Sequence, residues 1–180
     1  LMDRALNEEV FHAIATIIYD FKEYFGRYRQ PIDANPSTGN LQGGITTLEE
    51  KSLGAVQKGG TAAVTQVLAY GEQATEKGLV LLSAPGNDAV SATAEVVSGA
   101  TVLLFTTGRG TPFGAPVPTI KISSNPAYGI RVKPKWIDFD AGTLILEEQR
   151  TFEDAADQLF QYVLDVASRR ARTNNELHGY

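Results

Sequence analysis

Residues 79–108 read LVLLSAPGNDAVSATAEVVSGATVLLFTTG, and this stretch decides the fold. Leu79-Val80-Leu81-Leu82 is a continuous apolar run of strand length. Pro85-Gly86-Asn87-Asp88 opens an alanine-rich helix, Gly99 ends it, and a second apolar run follows at 102–105. Neither run alternates with polar residues, so both strands should be parallel, buried on both faces and joined by a right-handed crossover. The small side chains of Ala89, Ala92 and Ala94 let the helix lie close on the sheet. Two more strands are expected at 119–123 and 136–139, with Asn125-Pro126 fitting an N-cap and first helical position between them and Pro134 limiting that helix. The pattern predicts an α/β fold of three layers, a mostly parallel sheet with helices on both faces, Rossmann-like in organisation.

Long helices flank this centre. Leu6, Val10, Ala13, Ile14, Ile17, Phe21 and Phe25 form one apolar stripe, with Glu8 and Glu9 at the favourable end of the dipole and Gly26 as its stop. Thr46 or Thr47 caps a second helix, with a Glu three residues on reaching back and Gly59-Gly60 closing it. Residues 61–77 fit strand or helix equally. Thr151 caps a long C-terminal helix carrying Phe152, Ala156, Leu159, Phe160, Val163 and Val166, and Arg169 and Arg170 suit its end. The expectation is one α/β domain over 1–172 and a loose polar tail over 173–180.

With 180 residues, 43% hydrophobic, the chain can bury one sizeable core. A formal charge of −5 with dispersed basic residues argues against a nucleic-acid surface. The absence of cysteine removes disulfides, zinc ribbons, iron–sulfur clusters and thiol catalysis. His12 and His178 lie in the first helix and the tail, so any metal held by this chain would rest on carboxylates, amides and carbonyls. No signal peptide or long apolar run is evident, so a cytoplasmic protein is expected.

Residues 102–114, VLLFTTGRGTPFG, break from strand into a glycine-flanked arginine. At the carboxyl end of a parallel strand, Arg109 between Gly108 and Gly110 can meet an anion backed by backbone N–H groups, or can be a solvated residue on a tight turn. Three other loops gather unusual residues, at 35–44, 85–88 and 138–142, and parallel strands would bring them to one crevice. Asn87 and Asp88 can hold an anion at a helix N-terminus or simply cap it. Glu50 and Lys51 could serve as metal ligand or general acid/base, although a capping box accounts for one Glu and solvation for the Lys. Asp138 and Asp140 lie two apart and could bind a cation together or shape a turn. Thr106, Thr107 and Thr111 offer hydroxyls to a polyol or to turn backbone.

Five phrases are more specific than these patterns: NPSTGN at 35–40, GGITTLEEKSLG at 43–54, PGNDAV at 85–90, FTTGRGTP at 105–112 and WIDFDAG at 136–142. Together they closely resemble the C-terminal region of the altronate and galactarate dehydratase family, nearer to the altronate branch. The resemblance implies elimination of water from a hexonate to give a 2-keto-3-deoxy sugar acid, assisted by Fe2+ or Mn2+. For that chemistry we assign Arg109 to clamp the substrate carboxylate, with Glu50 and Lys51 as the acid/base candidates. Asn35, Ser37, Asn40, Asn87, Thr106, Thr107, Gly108, Gly110 and Thr111 would bind substrate, and Asp88 and Asp138 would serve the metal. Members of the family are longer, so the resemblance implies preceding N-terminal domains that complete the site, without which the chain could be inactive. Some carry cysteines where this chain has Ala55 and Ala100. A homodimer is one assembly open to it. Two other readings stand beside the dehydratase: a sulfolactate sulfo-lyase-type enzyme of the same superfamily, and a non-catalytic module that binds sugar acids or assists assembly.

Overall fold

The computed structural model describes residues 1–32, 36, 38–42 and 45–179. The chain forms two compact units, Leu1–Ser83 and Ala84–Tyr180. Both are α/β, and the named strands of each pair in parallel.

The first unit contains a 3-10 turn (Met2–Arg4), helices α1 (Glu8–Arg27), α2 (Thr38–Gln42) and α3 (Leu48–Lys58), and strands β1 (Val64–Leu68) and β2 (Leu79–Leu82). Helix α1 starts where the Asn7 side chain accepts the Val10 N–H at 2.9 Å, with Glu8 and Glu9 in the first turn, and it runs one residue past Gly26. Its buried Val10 and Ile14 pack on Val64, with Val67, Leu79 and Leu81 around them. The apolar stripe is therefore used at its N-terminal end, whereas Phe21 is 51% exposed and stacks on Phe25 of the same helix. The ambiguous stretch after residue 60 supplies β1, paired with β2 from Val64↔Leu79 to Leu68↔Leu82.

The second unit holds α4 (Asp88–Val97), β3 (Leu103–Thr107), β4 (Thr119–Ser123), a 3-10 turn (Pro126–Tyr128), β5 (Phe139–Asp140), a π-helical turn (Thr143–Glu147), α5 (Phe152–Ala167) and α6 (Asn174–His178). The sheet order is β3-β4-β5, and all five residues of β4 are buried. Register partners share a face, so Leu103, Phe105 and Thr107 line up with Thr119, Lys121 and Ser123. That face packs Leu103 and Phe105 with Ala92 of α4 and with Phe113, Ala115 and Val117. Ile120 and Ile122 occupy the other face with Phe139 and with Leu159, Val163 and Val166 of α5. Helices thus cover both faces, which is the expected three-layer arrangement.

Three expectations are corrected. The strands on either side of α4 belong to different sheets, β2 pairing with β1 and β3 with β4. The two runs are not buried on both faces as expected, since every residue of β2 is only half-buried and Leu104 of β3 is 51% exposed. The unassigned β1 takes the partner position beside β2. The tail is not loose either. Thr173 caps α6 in a box with Glu176, and both Thr173 and Asn175 are buried. Asn175 Oδ1 accepts the Thr119 N–H at 3.0 Å, tying the tail to the start of the central strand.

Gly142 shows why the 136–142 phrase ends in glycine. A Cβ there would stand 2.7 Å from the backbone carbonyl of Ser124 and 2.8 Å from the Asn125 nitrogen. The chain crosses the end of β4 at a distance that only glycine allows.

Candidate active site

The carboxyl edge of the second sheet carries the arginine turn. Strand β3 ends at Thr107, whose Oγ1 accepts the Gly110 N–H at 2.9 Å. Gly110 has φ +76°, a left-handed conformation that suits glycine and folds the loop back. Arg109 stands exposed on this turn. Thr111 Oγ1 accepts the Phe113 N–H at 3.2 Å. A hydroxyl that accepts in this way still has its O–H to donate, so Thr107 and Thr111 can each serve the turn and a ligand. Thr106 points to the opposite face of the sheet, in register with Ile122, and is exposed.

Two lysines missed by the sequence reading hold this loop. Lys133 Nζ donates to the carbonyl of Arg109, and Lys121 Nζ donates to the carbonyl of Phe113 at 3.1 Å. Lys121 is fully buried, and burial pushes its ammonium pKa down while the Asp138 charge opposes that shift. Alternation in TIKIS suggests a half-solvated strand. The usable signal was position, because the central strand of a parallel sheet is covered on both faces and its lysine must go inside.

Asp138 and Asp140 are both engaged by the fold. Asp138 accepts the Lys121 N–H at 2.8 Å on one oxygen and the Asn174 N–H at 2.6 Å on the other. Burial raises its pKa, opposed by those two N–H groups and by Lys121. Asp140 accepts from the N–H groups of Ile130 and Thr143, each at 3.0 Å, and from the Thr143 hydroxyl at 2.9 Å. It shapes the turn after β5.

Tyr162 of α5 is half-buried, and its phenol is pushed up to about 12, first by burial and then by the charges of Asp138 and Glu176. A folded-state pKa above the ordinary tyrosine value contributes stability that is complete below pH 10 and is lost as the pH climbs towards 12. Tyr162→Phe should therefore remove a step near pH 12 from the ultraviolet phenolate titration and flatten the alkaline loss of stability. Persistence of that step in the variant would assign it to another tyrosine.

The remaining candidates serve local structure in ways their sequence allowed. Asn87 caps α4, its Oδ1 accepting from Ala89 and Val90 at 3.2 and 3.3 Å, and Asp88 is exposed in the first turn. In the first unit, Glu50 accepts the N–H and hydroxyl of Thr46 at 2.9 and 3.2 Å, while Thr47 caps α3. The backbone bond from Thr46 leads the causes that lower the Glu50 pKa. Lys51 lies on α3, half-buried, and Asn40 on α2. Asn35 and Ser37 lie outside the described residues.

The expected meeting of loops at one sheet edge holds for 106–114 and 138–142, which follow β3 and β5 of the same sheet. The 85–88 loop opens α4, whose Ala92 packs with Leu103 and Phe105 of β3. Of the two carboxylates offered to a metal, Asp138 is engaged by the fold and Asp88 is exposed in the first turn of α4. Both Asp138 oxygens are occupied by N–H donors, and no three His, Cys, Asp or Glu side chains among the described residues cluster as ligands. No helix among the described residues is long and apolar enough to cross a membrane.

Comparison with known proteins places this geometry in a lineage. The chain is 52% identical over 168 residues to the altronate dehydratase of Bacillus subtilis (strain 168), covering 93% of this chain and 33% of that protein. It is 38% identical over 183 residues to the L-threo-forming galactarate dehydratase of Escherichia coli (strain K12), covering 99% of the chain and 34% of the relative. It is also 34% identical over 171 residues to the beta subunit of the (2R)-sulfolactate sulfo-lyase of Chromohalobacter salexigens, covering 89% and 43%. The chain thus spans about a third of the length of the two dehydratases. The match to the D-galactarate/altronate dehydratase C-terminal family runs over residues 1–180, and the chain belongs to that family.

Proposed function

We propose that this chain is the part of a sugar-acid dehydratase that holds the carboxylate of a hexonate, altronate-like in length, for removal of water to give a 2-keto-3-deoxy acid. The observation that carries this reading is Arg109, exposed on an anchored turn at the carboxyl edge of a parallel sheet. A guanidinium presented there can take a carboxylate through two parallel N–H bonds, and the O–H groups of Thr107 and Thr111 can reach sugar hydroxyls. The reaction breaks the C2–H and C3–O bonds, the C3 hydroxyl leaving as water to give a C2=C3 enol, which becomes the 2-keto-3-deoxy acid as the C2 hydroxyl loses its proton and C3 gains one. It requires a base at C2 and an acid at the leaving hydroxyl. Glu50 and Lys51, adjacent on α3 of the first unit, are the chain's acid/base candidates, and the bonds from Thr46 that lower the Glu50 pKa make it a weaker base. Any Fe2+ or Mn2+ serving the reaction would meet Asp88 or Asp138 in this chain and take its other ligands from the rest of the intact protein. The intact protein is read as a cytoplasmic enzyme in which neighbouring domains complete the site, and homodimerisation is part of this proposal.

The test assays the chain alone and a chimaera in which it replaces the matching segment of the Bacillus subtilis relative. Substrates are altronate, galactarate and sulfolactate, with products read by mass spectrometry. A 2-keto-3-deoxy acid formed by the chimaera supports the proposal. Sulfite release from sulfolactate without dehydration of either hexonate would move the assignment to the sulfo-lyase branch. Saturable hexonate binding without turnover in a folded chimaera would leave a binding module.

A further inference from the structure

We infer that Lys133 is a positioning residue that fixes the backbone of the arginine turn, and so the point from which the Arg109 side chain emerges. Its Nζ donates to the Arg109 carbonyl and stands 4.6 Å from the centre of the Trp136 ring and 5.1 Å from that of Tyr128. An ammonium between two rings is held in one place and favoured there by their negative faces. The stem contributes as well as the charge. A Cβ on Gly110 would come within 2.9 Å of Lys133 Cδ and 3.4 Å of Ile137 Cδ1, so the turn lies directly on that side chain.

The platform beneath is itself fixed. Lys133 N–H donates to the Gly129 carbonyl at 3.0 Å, while the N–H groups of Trp136 and Ile137 donate to the Lys133 carbonyl at 3.0 and 3.1 Å. Ile137 is 1% exposed, which anchors the segment in the interior. At the far end of the loop the buried Lys121 holds Phe113. The turn is thus fastened to the protein on both sides of Thr111, and its outer fastening is Lys133. Preorganisation of this kind lowers the ordering cost of binding.

The inference deepens the reading of Arg109 as an anion holder and rests on it for the ligand-dependent part of the test. Trp136 is the sole tryptophan of the chain, so its emission reports on the clamp. Without ligand, Lys133→Met should shift Trp136 emission and the amide resonances of Gly108, Arg109 and Gly110, and Lys133→Arg, which keeps charge and donor, should restore them. Unshifted resonances in Lys133→Met would overturn the clamp. In titrations with altronate and galactarate, Lys133→Met should weaken binding about tenfold, with Lys133→Arg within about threefold of wild type. Wild-type affinity in Lys133→Met would overturn its part in binding. If the chimaera carrying the wild-type chain binds neither acid while the ligand-free shifts are present, the anion reading fails and the clamp stands. Lys133→Arg keeps the test valid should the Met variant fold poorly.

Discussion

Asp138→Asn should destabilise the second unit by about 3 kcal/mol, lowering its urea midpoint by about 1.5 M when followed by Trp136 emission. Asp138 is the point where three elements meet. One oxygen holds the backbone of β4 at Lys121, the other holds α6 at Asn174, and its charge faces the buried Lys121 ammonium. Asparagine keeps one acceptor and turns an NH2 group towards a backbone N–H, so one charge-assisted bond is lost and a repulsive contact replaces it. The same experiment separates this role from metal binding. With a structural carboxylate, EDTA and added Mn2+ leave the wild-type midpoint unchanged. If Mn2+ raised the wild-type midpoint but not that of the variant, the ligand role would be restored.

That contrast shows where a sequence is legible. The α/β class, parallel strands, arginine turn and caps at Thr47, Asn87 and Thr151 were all readable, because each depends on residues adjacent in the chain. Pairing between distant elements was not. Nothing local states that β2 lies beside β1, or that Asn174 caps the carboxylate of Asp138 from 36 residues away. The same limit explains the polar tail, whose Thr173 and Asn175 look solvated in sequence but are buried against the central strand. It also explains the lysines. Lys121 and Lys133 act on carbonyls 8 and 24 residues distant, and a carbonyl leaves no mark in the sequence. Residues chosen for side-chain chemistry therefore split into two groups. Asp138, Asp140, Asn87 and Glu50 turn inward to the backbone, whereas Arg109 stays exposed on an anchored turn.

Arg109→Ala should lower kcat/KM for altronate about a hundredfold in the chimaera, equivalent to about 2.7 kcal/mol of lost transition-state stabilisation. Both parameters should move. The substrate carboxylate is already charged when it binds, so KM rises. Removal of the C2 proton then spreads further negative charge onto that carboxylate, so kcat falls as well. Arg109→Lys retains the charge but not the two-pronged geometry and should recover only part of the loss, about tenfold below wild type. Stability should not change in either variant, because the side chain is exposed and the turn is held through its carbonyl by Lys133 and through Gly110 by Thr107. This independence makes the experiment decisive. An unfolded Arg109→Ala protein would contradict the description of the turn, and a folded one with wild-type kcat/KM would remove Arg109 from the site.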